Sequence, residues 1–137
     1  MFALIRHAEY NIVSGSLTKD AEEATLALAE RLKATPHAWT VVRTSPTPRA
    51  HETAALIARS LNISLVDDPR LGMDGNYVDL LPPTEPKNTI FVSHLPVLTQ
   101  MLRTWSKHFR QEEPPLTQLT SGYLVDPEKK SFTPMTS

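Results

Sequence analysis

The sequence predicts an α/β fold of three layers, a mainly parallel central sheet with helices on both faces. Three observations carry that reading. Short apolar runs without polar alternation recur along the chain, as strands buried on both faces require. Longer segments with apolar residues at three- and four-residue steps separate them, as amphipathic helices do. The length, 137 residues, suits one domain with a single core over residues 1–137.

Phe2–Ile5 reads as the first strand, fully buried because no polar residue interrupts it. A loop with Ser14, Gly15 and Ser16 follows, and a helix is expected from Thr18. Ala21, Ala24, Leu28 and Leu32 would face inward, Asp20, Glu22 and Glu23 suit the positive end of its dipole, and Pro36 closes it. Trp39–Arg43 is the second strand, rich in β-formers. Ser45-Pro46 then reads as an N-cap followed by proline in the first turn of a helix that buries Ala50, Ala54, Ile57 and Leu61. Ile63–Val66 is the third strand, and Asp67–Lys87 is irregular apart from one helical turn near Tyr77–Leu81. Thr89–Val92 is the fourth strand, and the helix after it turns Leu98, Met101, Leu102 and Trp105 inward. Gly122–Val125 adds a last strand, and the tail beyond Asp126 forms a hairpin or frays.

Composition narrows the function classes. Hydrophobic residues make up 40% and charged residues 21%, with a formal net charge of −1 and no polybasic run. Nothing therefore favours nucleic acid or an anionic membrane as partner. The absence of cysteine excludes disulfides, thiolate chemistry and cysteine-ligated zinc, and fits a reducing compartment. The apolar start is too short for a signal-peptide core or a membrane span, so a cytoplasmic location is expected. Without a long exposed apolar stripe, a monomer is expected.

In open α/β sheets ligands bind beyond the carboxyl ends of the strands. Arg6 and His7 follow the first strand, Arg49 opens the helix after the second, and His94 follows the fourth. Two arginines and two histidines on one rim, near helix N-termini, suit a dianionic group such as phosphate. No acidic cluster accompanies them, so neither a divalent metal nor a cofactor is implied. A neutral imidazole is a competent nucleophile toward phosphorus, and flanking cations keep it unprotonated. His7 would attack in line, Arg6 and Arg49 would clamp the equatorial oxygens, and His94 would donate to one of them.

These residues resemble the histidine phosphatase superfamily, the phosphoglycerate-mutase-like fold. The resemblance rests on "RHA" after the first strand, "SPTPRAHET" with Ser45, Pro46, Arg49, Ala50 and Thr53, and "SHLPVL" with His94. Leu17–Ala24 is similar to a further family segment, with Ala21 where the family has glycine. The resemblance implies that His7 is the nucleophile. Many members carry a proton-donating glutamate just after a segment like Asp68-Pro69-Arg70-Leu71, but here Gly72 and Met73 follow. Only about 18 residues separate Leu71 from the next strand, too few for a cap domain. The small SixA-type phosphohistidine phosphatases share that uncapped form, and Pro114, Pro115, Thr120 and Ser121 echo their tail.

The missing acid bears on the bond broken. An alkoxide is a poor leaving group and needs a placed general acid, whereas an imidazole nitrogen can take its proton from solvent. The expected activity is thus a metal-independent phosphatase that removes phosphate from phosphohistidine on a signalling or phosphotransfer protein. One alternative is a small-molecule phosphate-ester phosphatase with Asp74 or Glu9 as the acid. Another is a phosphate-binding module without turnover. His37, His51 and His108 read as surface or capping residues, and Asp79-Leu80-Leu81 as a rim segment able to touch a partner.

Overall fold

The computed structural model describes residues 1–80 and 87–137, the side chains of residues 79 and 80 excepted. The Asp79-Leu80-Leu81 rim segment, read as able to touch a partner, therefore lies outside the described side chains. The elements in order are β1 (Phe2–Arg6), α1 (Lys19–Lys33), β2 (Val41–Thr44), α2 (Pro48–Leu61), β3 (Ser64–Asp67), β4 (Thr89–Ser93), α3 (Leu95–Phe109), β5 (Ser121–Asp126) and β6 (Ser131–Thr136). Single helical turns cover Pro69–Leu71 and Tyr77–Leu80. The strands form one sheet in the order β3-β2-β4-β1-β5-β6. The first four strands in the chain are mutually parallel neighbours, and β5 and β6 add an antiparallel hairpin, which settles the expected hairpin or frayed tail as a hairpin.

Both faces are covered, as the unalternated strands require. Ala3, Ile5, Ile90 and Val92 pack with α1 and α2 on one face. Phe2, Leu4 and Phe91 pack with α3 on the other, around Trp105. Successive strand residues thus enter opposite cores, which is why the strands read as solid apolar runs. At Gly122 a Cβ would sit 1.7 Å from the Leu4 carbonyl oxygen, so only glycine lets β5 approach β1 this closely.

Thr18 caps α1 as expected, its hydroxyl accepting from the Ala21 N–H at 3.1 Å. Thr25 takes the buried place expected of Ala24, and its hydroxyl donates to the Ala21 carbonyl at 2.7 Å. Other boundaries moved for local reasons. Trp39 lies outside β2 because its indole N–H donates to the Leu32 carbonyl at the end of α1. Ile63 precedes β3 because its N–H closes α2 on the Ala58 carbonyl, after Asn62 enters the left-handed region. The cap read at Ser45-Pro46 is corrected: α2 starts at Pro48 with Thr47 as N-cap residue, and the Ser45 hydroxyl is used elsewhere. Among the described residues no helix is long and apolar enough to cross a membrane.

Candidate active site

Strand register builds the site. Arg6 pairs with Ser93 and Thr44 with Val92, so β1, β2 and β4 end at one level. His7 is tied there by its backbone: its N–H donates to the Ser93 carbonyl at 3.2 Å, and its carbonyl accepts from the Thr120 N–H at 3.2 Å. Thr120 holds a positive φ of 50°, an uncommon conformation for a β-branched residue and the kind of strain found at functional sites. His94 is the residue immediately before α3, and Arg49 lies in the first turn of α2. Four residues from three strand ends thus meet.

The two imidazoles are both buried, with ring centroids 5.2 Å apart. His7 Nδ1 lies 2.9 Å from the Ala8 carbonyl, which can only accept, so Nδ1 carries the proton and Nε2 keeps its lone pair. Burial is the main cause holding the His7 imidazolium below its ordinary range. The Ala8 bond opposes that shift, and the Arg49 and Arg6 charges add to it. His94 is pushed down to about 4, first by burial and then by His7, Arg49 and Arg6. Its Nε2 lies 2.9 Å from the Ser45 hydroxyl and 3.0 Å from that of Thr47. Both histidines are therefore neutral at neutral pH.

The arginines are held without being neutralised. Arg49 stacks its guanidinium over Tyr10, 4.8 Å from the ring centroid, and Tyr10 in turn meets the His7 ring edge-on at 5.8 Å. Arg6 donates through Nη1 to the Thr117 carbonyl. Thr53 braces both neighbours, its hydroxyl donating to the Arg49 carbonyl at 2.7 Å and accepting from the Ala8 N–H at 3.0 Å. Among the described residues neither Arg6 nor Arg49 has a carboxylate partner within ion-pair distance. Among the described residues, buried Nε atoms of both arginines and Nδ1 of His94 have no hydrogen-bond partner. Two guanidinium groups and an imidazole nitrogen converging on one rim suit an oxyanion.

The model of the histidine phosphatase superfamily (branch 1) matches residues 2–72, more than half of the chain. The chain belongs to the histidine phosphatase superfamily. Its fold is similar to that of the protein histidine phosphatase SixA solved with tungstate, at TM-score 0.75 and 21% identity over 98% of this chain and 96% of that one. A protein assigned as the phosphohistidine phosphatase SixA in Agrobacterium tumefaciens follows at TM-score 0.72 and 15% identity, covering 97% and 93%. A phosphoserine phosphatase from Entamoeba histolytica, solved with 3-phosphoglyceric acid, aligns at TM-score 0.64 and 17% identity over 99% and 96%. No curated protein matches the chain by sequence. Family membership carries the coarse activity, a phosphatase acting through a histidine.

Within this histidine phosphatase fold, the structure brings Arg6, His7, Arg49 and His94 together. Ser45, matched to the family on sequence, contributes its hydroxyl to His94. Sequence reasoning missed Thr47, Tyr10 and the Thr117 carbonyl. Thr47 was within reach of it: in an extended segment residues two apart point the same way, so Ser45 and Thr47 present both hydroxyls to one side. Nothing local marks Tyr10 or Thr117. Glu9 and Asp74 are exposed, and Asp74 lines a surface groove that also includes Thr47, Arg70 and Met73. His51 pairs at the surface with Asp67 at 2.7 Å, while His37 and His108 lie against Trp39 and Trp105. Among the described residues no group of three or more His, Cys, Asp or Glu side chains is placed to hold a metal ion.

Proposed function

We propose that this chain is a single-domain, metal-independent phosphatase that works through a phosphohistidine at His7 and takes phosphohistidine on a protein as its substrate. What supports the reading is one pairing: a buried, neutral His7 with its Nε2 lone pair available, in a cationic cradle that holds no carboxylate among the described residues. Nε2 attacks phosphorus as the bond to the leaving imidazole nitrogen breaks. That nitrogen keeps the electron pair and takes a proton from solvent. Arg6 and Arg49 hold the three equatorial oxygens while charge redistributes over them, and neutral His94 donates to one. Water then attacks the phosphorus, the Nε2–P bond breaks and inorganic phosphate leaves. SixA, similar in fold over nearly all of both chains, is a protein histidine phosphatase, which agrees with this substrate class.

The test is a substrate comparison. A histidine-phosphorylated protein, phosphoramidate, and a panel of sugar and nucleotide phosphates are offered to wild type and His7→Ala. The expected result is preference for P–N over P–O bonds, with an acid-labile phosphoenzyme present in wild type and missing in His7→Ala. Equal loss of phosphate with both proteins would sink the assignment. The position of Asp74 on the groove beside Thr47 favours a second reading, an ester phosphatase with Asp74 as acid. Ester preference with a rate that collapses in Asp74→Asn selects it. A wild type that binds phosphate but never forms a phosphoenzyme would leave the non-catalytic binding module.

A further inference from the structure

Among the described residues, seven large hydrophobic side chains are exposed: Ile12, Val13, Leu26, Val66, Met73, Val78 and Leu119. Scattered single residues of this kind are ordinary on a protein surface. Their distribution here is not scattered. Five of them, Ile12, Val13, Met73, Val78 and Leu119, lie on the three loops that border the carboxyl rim where the phosphate site sits.

Each loop is anchored to a residue of that site. The loop after β1 is closed at its base by the bridge between Tyr10 and Leu17, and Tyr10 packs on His7 and under Arg49. Asn11 pins the turn, its side-chain oxygen accepting from the N–H groups of Val13 and Ser14 at 2.9 and 3.2 Å. The held turn keeps Ile12 and Val13 in solvent, 89% and 97% exposed. The loop after β3 carries Met73 on the groove that includes Thr47, whose hydroxyl reaches His94. Val78 follows in the same segment. The loop before β5 carries Leu119 between Thr117, which accepts from Arg6, and Thr120, which donates to the His7 carbonyl.

We propose that these five side chains form an apolar collar around the phosphate site, and that the collar docks a folded phosphoprotein whose phosphorylated side chain stands among exposed aliphatic residues. The proposal rests on the phosphohistidine reading above and adds the surface that selects the substrate. Charge complementarity argues for this occupant. The centre of the collar is cationic and holds no carboxylate among the described residues, which suits a partner that carries an anion at its middle and apolar surface around it. A small phosphate ester fills the centre and leaves the collar wet. A second copy of this chain would bring no phosphate with it. An anionic membrane would call for a basic rim, but the collar residues are uncharged and the formal net charge of the chain is −1.

The test uses Ile12→Ser/Val13→Ser, which removes two solvent-exposed groups outside the site. Two probes are compared: a folded phosphocarrier protein with aliphatic residues beside its phosphohistidine, charged with potassium phosphoramidate, and phosphoramidate itself. The expected result is a fall of at least tenfold in kcat/KM for the protein probe, carried by KM, with the small probe unchanged. The milder Ile12→Val/Val13→Ile should restore the protein rate. An unchanged rate on the protein probe would overturn the collar alone. So would an equal fall on both probes. A wild type inactive on the phosphoprotein but active on esters removes the substrate reading and the collar with it. A dimer or vesicle binding lost in the serine variant would assign the surface to another occupant and overturn the proposal as well.

Discussion

Two clusters of cations lie at neighbouring strand ends, and they are built on opposite terms. At the ends of β2 and β3, Asp68 is buried and receives Arg70 through a two-pronged contact, Nε at 2.9 Å and Nη2 at 2.7 Å. Arg43 approaches the same carboxylate at 3.5 Å. At the ends of β1 and β4, Arg6 and, from the first turn of α2, Arg49 stand beside two buried imidazoles with no carboxylate between them among the described residues. The first cluster holds a carboxylate of the protein's own and serves the fold. The second is left for an anion from outside. Cationic residues alone do not mark a site; buried imidazoles with lowered proton affinity beside them do.

The comparison can be broken most decisively at the arginines. Arg49→Ala should lower kcat by about 10²–10³-fold with stability nearly unchanged, because its charge acts on the transition state. Arg43→Ala should leave kcat alone. Steady-state kinetics on one substrate compares the two, and equal losses would erase the distinction. Asp68→Asn should cost roughly 2 kcal/mol of stability in urea unfolding, since it leaves guanidinium groups facing a neutral amide, while kcat stays near wild type.

Acidity sharpens the contrast because the two clusters respond in different windows. Burial, then His7 and the neighbouring arginines, lowers His94 from 6.5 to about 4. Between those values the unfolded chain binds a proton that the folded site refuses, so stability falls as pH drops through that window, by roughly 1–2 kcal/mol between pH 7 and 5. His94→Gln should flatten that slope in urea midpoints measured at the two pH values. Asp68 behaves otherwise: hydrogen bonding from Arg70, ahead of the nearby charges, depresses its carboxyl. Its contribution is complete above the ordinary carboxylate value and goes only as pH falls through the lower folded one, a loss absent from Asp68→Asn. The smallest effect is expected at the exposed His51–Asp67 pair, where His51→Ala should shift unfolding by no more than about 0.5 kcal/mol.

Much of the site was legible before any fold was known. Arg6-His7 ends an apolar run, Arg49 opens a helix and His94 ends another run, and a parallel sheet sends all three ends to one rim. The partners of these side chains were not legible. Ser45 looked like a helix cap because serine before proline ordinarily is one, but its hydroxyl goes to His94, forty-nine positions away. Tyr10 under Arg49 and the Thr117 carbonyl on Arg6 likewise depend on chain segments that only folding brings together.

The sequence by itself determined the kinds of group that reach the rim, because periodicity and strand ends are local properties of the chain. Arg6, Arg43, Arg49 and Arg70 are alike at that level. Only the tertiary structure decided that Asp68 pairs with Arg43 and Arg70 while the other two stand beside buried histidines. The Ala8 carbonyl decided which His7 nitrogen keeps its lone pair, and burial lowered the proton affinity of His94. Charge, solvation and hydrogen bonding depend on what lies within a few ångströms in space, and the order of residues along the chain does not state that distance.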